Sequence, residues 1–301
     1  PRDKKGEFIP VSPKIPLIAV SIIAGLLLGS LAAFGIENVN NVFYDSEDVK
    51  NESQLPLLGV IPFTKELQNL PQPKSDVVQL NPHKITQSST EVSPKHQSRI
   101  ESPLLEAFCS LYTRFQSRRG DIPFKSIAIA SATTGDGKST IAINLAQMAA
   151  EAGQKVLLVD ANLHHPQIHE KIGLTNNQGL SDVLIGNLNL SHVITQSPTE
   201  QNLFVVTAGT MLPNPSKLFS SSRMQNIMEI AKTSFDLVVY DTSQILGVLD
   251  SNILAQQLDG TILVVGLGKT PRPTWEKALE EVKAAQIKII GIVTNSLNKK
   301  A

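Results

Sequence analysis

The sequence has one cysteine, Cys109, in 301 residues, so no disulfide bond can form within one chain. A small secreted domain held together by disulfides is therefore excluded. The chain also lacks an excess of charge, because 27 Lys and Arg residues balance 27 Asp and Glu residues. A neutral chain gives no electrostatic argument for nucleic acid as a partner, and we expect none.

Charge is absent from one stretch in particular, residues 15–36, which read IPLIAVSIIAGLLLGSLAAFGI. A helix of this length, rising about 1.5 Å per residue, would cross the ~30 Å hydrocarbon core of a bilayer. We therefore predict a transmembrane helix at 15–36, whose small residues would favour homo-oligomers through the membrane part. A buried soluble helix and a signal peptide are the alternatives.

The flanking residues divide the chain further. We interpret residues 1–14 as the membrane-proximal flank of a preceding domain, and residues 37–62 as a juxtamembrane segment. Residues 63–102 are rich in Ser, Pro, Gln and Asn without a sustained apolar period, which is typical of a flexible linker. The charges around the span favour a cytoplasmic N-terminal flank. A downstream domain that uses ATP requires the opposite orientation, and we give that requirement more weight.

Residues 103–301 have the pattern of a globular α/β domain, because short β-branched apolar runs alternate with helical segments. The runs are SIAIA, KVLLVD, LFVVTAG, DLVVYD, GTILVVGL and IKIIGIVTN. Helices are predicted from Lys138, around 217–232 and at 274–286. We expect a mostly parallel sheet flanked by helices, with its ligand beyond the carboxyl ends of the strands. The stretch GDGKST, which follows the first strand, makes P-loop NTPase the expected class.

The stretch SATTGDGKST joins the first of these strands to the helix at Lys138. Its glycines permit tight turns, so that backbone N–H groups can surround a phosphate. Lys138 would reach the β- and γ-phosphates of ATP, and the Ser139 hydroxyl would bind Mg²⁺. The pattern departs from GxxxxGK[ST] only at Ala132, which replaces the first glycine. The residues predicted to bind the nucleotide are Gly135, Asp136, Gly137, Lys138, Ser139, Thr140 and Asn295.

Polar residues also end three later strands. Asp160 and Asp241 are predicted to hold Mg²⁺ together with Ser139, and to act with Lys138 in catalysis. Asn295 ends the last strand, where its amide could pair with adenine. For each of these residues the alternative is an ordinary cap or turn residue.

In this order the motifs resemble those of bacterial tyrosine kinases of the polysaccharide co-polymerase group. The matching pieces are SEDVKNESQLPLLGVIP, ATTGDGKSTIAINLA, VLLVDANLHHP, LFVVTAGTMLPNPSKL and DLVVYDTSQ. The resemblance implies an inner-membrane protein with a cytoplasmic ATP- and Mg²⁺-dependent kinase domain. It also implies that the partners are the machinery that polymerises and exports exopolysaccharide or capsule.

Four of the positions at which the chain departs from the family pattern concern catalysis and the packing of protomers. Where the family has D-x-D-x-R after the second strand, this chain has Asn162 and His164 in place of the second carboxylate and the arginine. Where the family has E-x-x-R-x-x-R, which packs protomers into a ring, Cys109 and Tyr112 replace the arginines. An amide cannot act as a general base, and neither a thiol nor a phenol replaces a guanidinium fork.

Three functional hypotheses follow from the sequence. The first is a membrane-anchored tyrosine kinase, and the second is a nucleotide-binding regulatory module with weakened catalysis. The third is an ATPase of the partition or septum-positioning type, which is less favoured because Thr133 and Thr134 replace the Lys-Gly pair of its loop.

Overall fold

The computed structural model describes residues 20–30, 41–64, 103–121, 124–186, 188–212 and 215–297. The chain divides into two units, Pro1–Asn41 and Val42–Ala301. In the first unit, helix α1 covers residues 20–30 and exposes its side chains. No helix within the described ranges is both long and apolar enough to cross a membrane. The rest of the predicted span, the flank and most of the predicted linker lie outside the described residues.

The second unit contains the strands and the remaining helices. The strands are β1 (Leu57–Ile61), β2 (Ser126–Ser131), β3 (Val156–Asp160), β4 (Ile194–Gln196), β5 (Leu203–Val206), β6 (Leu237–Gln244), β7 (Gly260–Leu267) and β8 (Ile289–Ser296). The helices are α2 (Ser46–Ser53), α3 (Pro103–Asp121), α4 (Lys138–Glu151), α5 (Ile168–Ile172), α6 (Leu180–Ile185), α7 (Leu190–Val193), α8 (Ser216–Phe219), α9 (Ser222–Ser234), α10 (Leu249–Gln257) and α11 (Arg272–Ala284).

The strands form one sheet in the order β1-β8-β7-β2-β6-β3-β5-β4. Every neighbouring pair is parallel except β4 and β5. The central strands are buried on both faces, since one apolar cluster includes side chains of α3 and α4 and another includes those of α9, α10 and α11. This confirms the predicted mostly parallel α/β fold, and it brings the carboxyl ends of the central strands to one edge.

The globular unit begins earlier than the sequence predicted. α2 and β1 lie in residues 37–62, the predicted juxtamembrane segment, yet β1 pairs in parallel with β8 at the edge of the sheet. The unit therefore starts at Val42 rather than at residue 103. Its close fit is visible at Gly59, where an added Cβ would lie 3.1 Å from the Cβ of Leu111 in α3.

Two smaller differences concern helix boundaries. The helix predicted around 217–232 is divided into α8 and α9, because Ser221 caps α9 by accepting a hydrogen bond from the backbone N–H of Met224 at 3.2 Å. α11 begins at Arg272, two residues before the predicted start, with Pro271 as its N-cap. The short antiparallel strand β4 was not predicted.

Candidate phosphate-binding site

A cleft of about 530 Å³ lies at the carboxyl ends of the central strands. Six residues of the predicted nucleotide set line it: Gly135, Gly137, Lys138, Ser139, Thr140 and Asn295. The structure thus brings together the loop after β2, the start of α4 and the end of β8. Asp136, Asp160 and Asp241 lie deeper, and each is fully buried.

The backbone of the loop depends on its glycines. Gly135 and Gly137 have φ angles of 73° and 99°, in the left-handed region that residues with a Cβ rarely adopt. An added Cβ would lie 2.1 Å from Nδ2 of Asn295 at Gly137, and 2.2 Å from Nζ of Lys269 at Gly135. Gly137 is also the N-cap of α4, so the N-terminus of that helix opens towards the cleft. Both features suit an anion.

The ammonium of Lys138 lies inside the loop and is almost buried. Its Nζ donates to Oγ of Ser131 at 2.9 Å and to the carbonyl of Thr133 at 3.3 Å. Burial lowers the pKa of Lys138, and the charges of Asp241 and Asp136 partly oppose this effect. A phosphate is a stronger acceptor than a neutral oxygen, so Lys138 is placed to exchange these bonds for an anion in the loop.

The side chain of Asp136 serves the loop itself. Its carboxylate accepts the backbone N–H of Thr133 at 3.1 Å and the hydroxyl of Thr270 at 3.0 Å. Burial raises the pKa of Asp136, while these hydrogen bonds and Lys138 lower it. Asn295 also holds the loop, since its Nδ2 donates to the carbonyl of Asp136 at 2.9 Å. In this structure both side chains stabilise the loop, and contact of Asn295 with adenine stays a prediction.

Asp160 and Asp241 are neighbours across β3 and β6, where they occupy paired positions. Asp160 accepts the backbone N–H groups of Asn162 and Ile168 at 3.2 and 3.1 Å. Neither carboxylate oxygen of Asp241 accepts a hydrogen bond from any residue that the structure describes. Burial raises the pKa of Asp241 to about 6, although the charges of Lys138 and Lys171 and the Ser139 hydroxyl, which lies close by without hydrogen-bond geometry, lower it.

The pKa of Asp160 is also raised, chiefly by burial and then by repulsion from the charge of Asp241. Two buried carboxylates side by side favour either a bound proton or a cation. The unpaired oxygens of Asp241 near Ser139 therefore fit a hard divalent cation. Within the described ranges, no three His, Cys, Asp or Glu side chains form a metal cage. Mg²⁺ suits such a site, because it commonly uses one or two carboxylates together with phosphate oxygens.

The amide of Asn162 joins the loop after β3 to itself and to β6. Its Oδ1 accepts from the backbone N–H of His165 and from the hydroxyl of Ser243, at 3.2 and 3.1 Å, and its Nδ2 donates to the carbonyl of His165. Nε2 of His164 lies 2.7 Å from Oδ2 of Asp250. These two departures from the family pattern therefore shape the loop beside the cleft.

The other two departures lie on α3. Cys109 is exposed, with its Sγ 3.8 Å from Sδ of Met148. The hydroxyl of Tyr112 accepts hydrogen bonds from the side-chain amides of Gln116 and Gln154. The Tyr112 side chain thus ties α3 to the segment between α4 and β3.

Several residues at the site were missed from the sequence. Phe63 and Thr64 line the cleft although they had been assigned to the linker, and Gln167 and Lys171 line it from the loop after β3 and from α5. Phe63 follows β1, so it could have been found only by recognising β1 as a strand of this sheet. For Lys171, which contributes to the electrostatics of Asp241, the sequence offers no signal.

Comparison with known proteins places these features in context. A family profile described as an AAA domain matches residues 124–285. Tyrosine-protein kinase YwqD of Bacillus subtilis is 37% identical over 190 residues, which cover 63% of this chain and 80% of the relative. Putative tyrosine-protein kinase EpsB of Ralstonia nicotianae is 27% identical over 291 residues, covering 96% of this chain. The chain spans only 37% of the length of EpsB.

A solved structure agrees with these relatives. The kinase domain of Escherichia coli tyrosine kinase ETK superimposes with a TM-score of 0.71 at 25% sequence identity. The superposition covers 85% of this chain and 96% of that domain. The relation therefore extends over nearly the whole of the solved kinase domain.

Proposed function

Because the chain belongs to the bacterial tyrosine kinase family, we propose that its Val42–Ala301 unit binds MgATP and transfers the γ-phosphoryl group to tyrosine. One observation carries this proposal. The strand edge that presents the phosphate loop and Lys138 also holds the buried pair of Asp160 and Asp241. An anion site and a cation site side by side are what MgATP requires.

Each residue has a separate role in the proposed reaction. The backbone N–H groups of the loop and Lys138 bind the β- and γ-phosphates, and Ser139 and Asp241 hold Mg²⁺. Mg²⁺ supplies charge neutralisation at the phosphates. The bond between the γ-phosphorus and the β,γ-bridging oxygen breaks as the tyrosine oxygen bonds to that phosphorus. Asp160, whose pKa is raised, accepts the proton of the tyrosine hydroxyl.

We place the adenine between the ends of β1 and β8. Phe63 and Asn295 both line the cleft there. An aromatic ring provides a stacking face for any base, and an amide can select adenine by its donor and acceptor pattern. Substitution of Phe63 by Ala is expected to weaken ATP and ADP alike, because both share the base.

The proposed cellular context is an inner-membrane regulator of exopolysaccharide or capsule export. Residues 15–36 would anchor the chain and support its oligomers, residues 63–102 would act as a linker, and the Val42–Ala301 unit would lie in the cytoplasm. Two observations support this context. The similarity to EpsB covers 96% of this chain, and α1 exposes large apolar side chains, among them Leu26 and Leu28.

Phosphate transfer by the purified chain tests the activity directly. With MgATP, we expect phosphotyrosine on the chain itself or on an added tyrosine peptide, detected by mass spectrometry. Lys138→Met should abolish it, because the phosphates lose their buried cation. Equal phosphotyrosine in both proteins would contradict the proposal.

Asn162 favours a second candidate, a nucleotide-binding regulatory module. Its amide holds the loop after β3 where the family pattern has a carboxylate, so a negative charge is missing beside the Asp160 and Asp241 pair. This candidate predicts tight MgATP binding with little phosphate transfer. It also predicts that Asn162→Asp raises the transfer rate, measured as phosphotyrosine formed per minute. A wild-type chain that binds no MgATP would rule out both candidates.

A further inference from the structure

The phosphate loop is held from outside by residues 266–272, which run from the end of β7 to the first residue of α11 and which we call the clamp turn. Thr270 is fully buried, and its hydroxyl donates to Oδ1 of Asp136 at 3.0 Å. The same hydroxyl accepts the backbone N–H of Gly266 at 3.0 Å. Thr270 thus fixes the carboxylate that closes the loop.

A second contact joins the clamp turn to the top of the loop. Nζ of Lys269 donates to the carbonyl of Thr134 at 2.6 Å. Lys269 is exposed, so this bond is the weaker of the two. Together these contacts hold the loop at two points, the carbonyl of Thr134 and the carboxylate of Asp136. A displacement of the clamp turn would therefore change the loop's shape.

The other side of the clamp turn contacts the start of the globular unit, residues 42–53. The backbone N–H of Phe43 donates to the carbonyl of Thr270 at 3.4 Å, and the N–H of Gly268 donates to the carbonyl of Phe43 at 2.7 Å. The Phe43 side chain is fully buried. By sequence, residues 42–53 are the first described residues of this unit after the region of the predicted span.

Arg272 fastens residues 42–53 to the clamp turn. Its guanidinium pairs with the carboxylates of Asp48 and Glu52 in α2. It also lies over the ring of Phe43, with Cζ 4.7 Å from the ring centroid. A planar guanidinium that is doubly paired and stacked fixes both the orientation and the distance of the clamp turn relative to α2, which a lysine cannot do.

We propose that Arg272 and Thr270 are positioning residues of the nucleotide site. Arg272 holds the clamp turn against residues 42–53, and Thr270 transmits that position to Asp136 and the phosphate loop. The inference rests on the proposed function, because it concerns the site for MgATP. A force that pulls residues 42–53 away weakens nucleotide binding. By linkage, bound nucleotide holds residues 42–53 more firmly in place.

Four variants of the full chain test the proposal. Arg272→Met removes the ion pairs and the stacking, Thr270→Val removes the hydroxyl with little change of shape, and a third variant combines both. Lys232→Met is the matched control. Its ion pair with Asp259, at 2.7 Å, has similar exposure, but Asp259 binds the start of β2 at the opposite end of the sheet.

The first measurement is the Kd for MgATP by calorimetry. Arg272→Met and Thr270→Val should each weaken binding by roughly 5- to 20-fold, and Lys232→Met by less than about twofold. The Kd of the double variant should be at most about twice that of the single variant that binds less tightly, because the two residues act in one chain of contacts. Fully multiplicative effects, or an Arg272→Met affinity equal to that of the control, would overturn the proposal.

The second measurement does not depend on nucleotide. In Arg272→Met, backbone amides of residues 133–138 should exchange with deuterium at least about fivefold faster than in Lys232→Met. Equal exchange overturns the role of Arg272. Absence of MgATP binding by the wild-type chain would contradict the proposed function instead. The exchange rates alone would then decide whether Arg272 positions the phosphate loop.

Discussion

At the scale of single residues, Asp241 carries an unrelieved electrostatic cost in the site. Its carboxylate is fully buried and receives no hydrogen bond from the described residues, and burial raises its pKa to about 6. The folded chain therefore binds a proton here more readily than the unfolded chain does. As the pH rises from the ordinary aspartate pKa to about 6, this residue lowers the free energy of unfolding.

Asp241→Asn should consequently stabilise the domain in the absence of Mg²⁺. At pH 7.5 we expect the free energy of unfolding to rise by roughly 1–3 kcal/mol, because a neutral amide replaces a buried charge. The gain should shrink towards pH 5, where the wild-type carboxyl is protonated. Urea unfolding at both pH values measures it, and MgATP binding should be lost.

Asp259→Asn provides a control of opposite sign. Partial burial raises the pKa of Asp259, but hydrogen bonds from Lys232, Lys125 and Ser126 outweigh it and lower that pKa to about 2. The charged form is therefore favoured in the folded chain, and Asp259→Asn should destabilise the domain at pH 7.5. The same sign for both variants would contradict this electrostatic argument.

The sequence predicted which residues gather at the carboxyl ends of the strands better than it predicted the contacts that hold them there. Lys138, Ser139 and the two glycines follow from a local pattern, and Asp160 and Asp241 follow from their positions at strand ends. The roles of Thr270 and Asn295 could not be predicted, because both act on Asp136 from more than 130 residues further along the chain. Contacts of that kind depend on strand order, which local patterns do not specify.

At the scale of elements, the turn into α4 is the most demanding connection in the site. Gly137→Ala should lower stability by about 1–2 kcal/mol for the left-handed backbone alone. It should also abolish MgATP binding, since the Cβ would displace Asn295 from the loop. Calorimetric titration and thermal unfolding measure the two effects separately.

Gly153→Ala is the matched control, since its φ of 89° is similar. An added Cβ there meets nothing within 4 Å. We expect the same backbone cost with unchanged nucleotide affinity. Loss of MgATP binding in both variants would show that the defect is global, and not a collision in the loop.

Secondary structure was predictable where a segment carried its own pattern. β2 and β3 are continuous apolar runs, and the sequence shows them directly. β1 has an equally apolar run, LLGVI, but it precedes the predicted linker and pairs with β8, so its strand identity depends on a distant partner. β4 has only three residues, too few for a period to be recognised.

At the scale of the whole molecule, the position of β1 determines which fragment can fold. Fragment 42–301 retains the complete sheet and should unfold cooperatively. Fragment 103–301 lacks α2 and β1, exposes the edge of β8 and loses the buried side chains of Phe43, Val49, Leu58 and Ile61. We expect it to unfold at a lower temperature and to bind MgATP more weakly. Equal melting temperatures by circular dichroism would contradict this prediction.

The pairing of β1 with β8 also has a consequence for the order of events during synthesis. Leu57 pairs with Ile292, so β1 leaves the ribosome more than 230 residues before its partner. At about 5–20 residues per second, that interval is on the order of 10–50 s. Once α3 has also been translated, β1 can pack against it while β8 is still to come. The nascent chain therefore completes its sheet only after β8 has been translated.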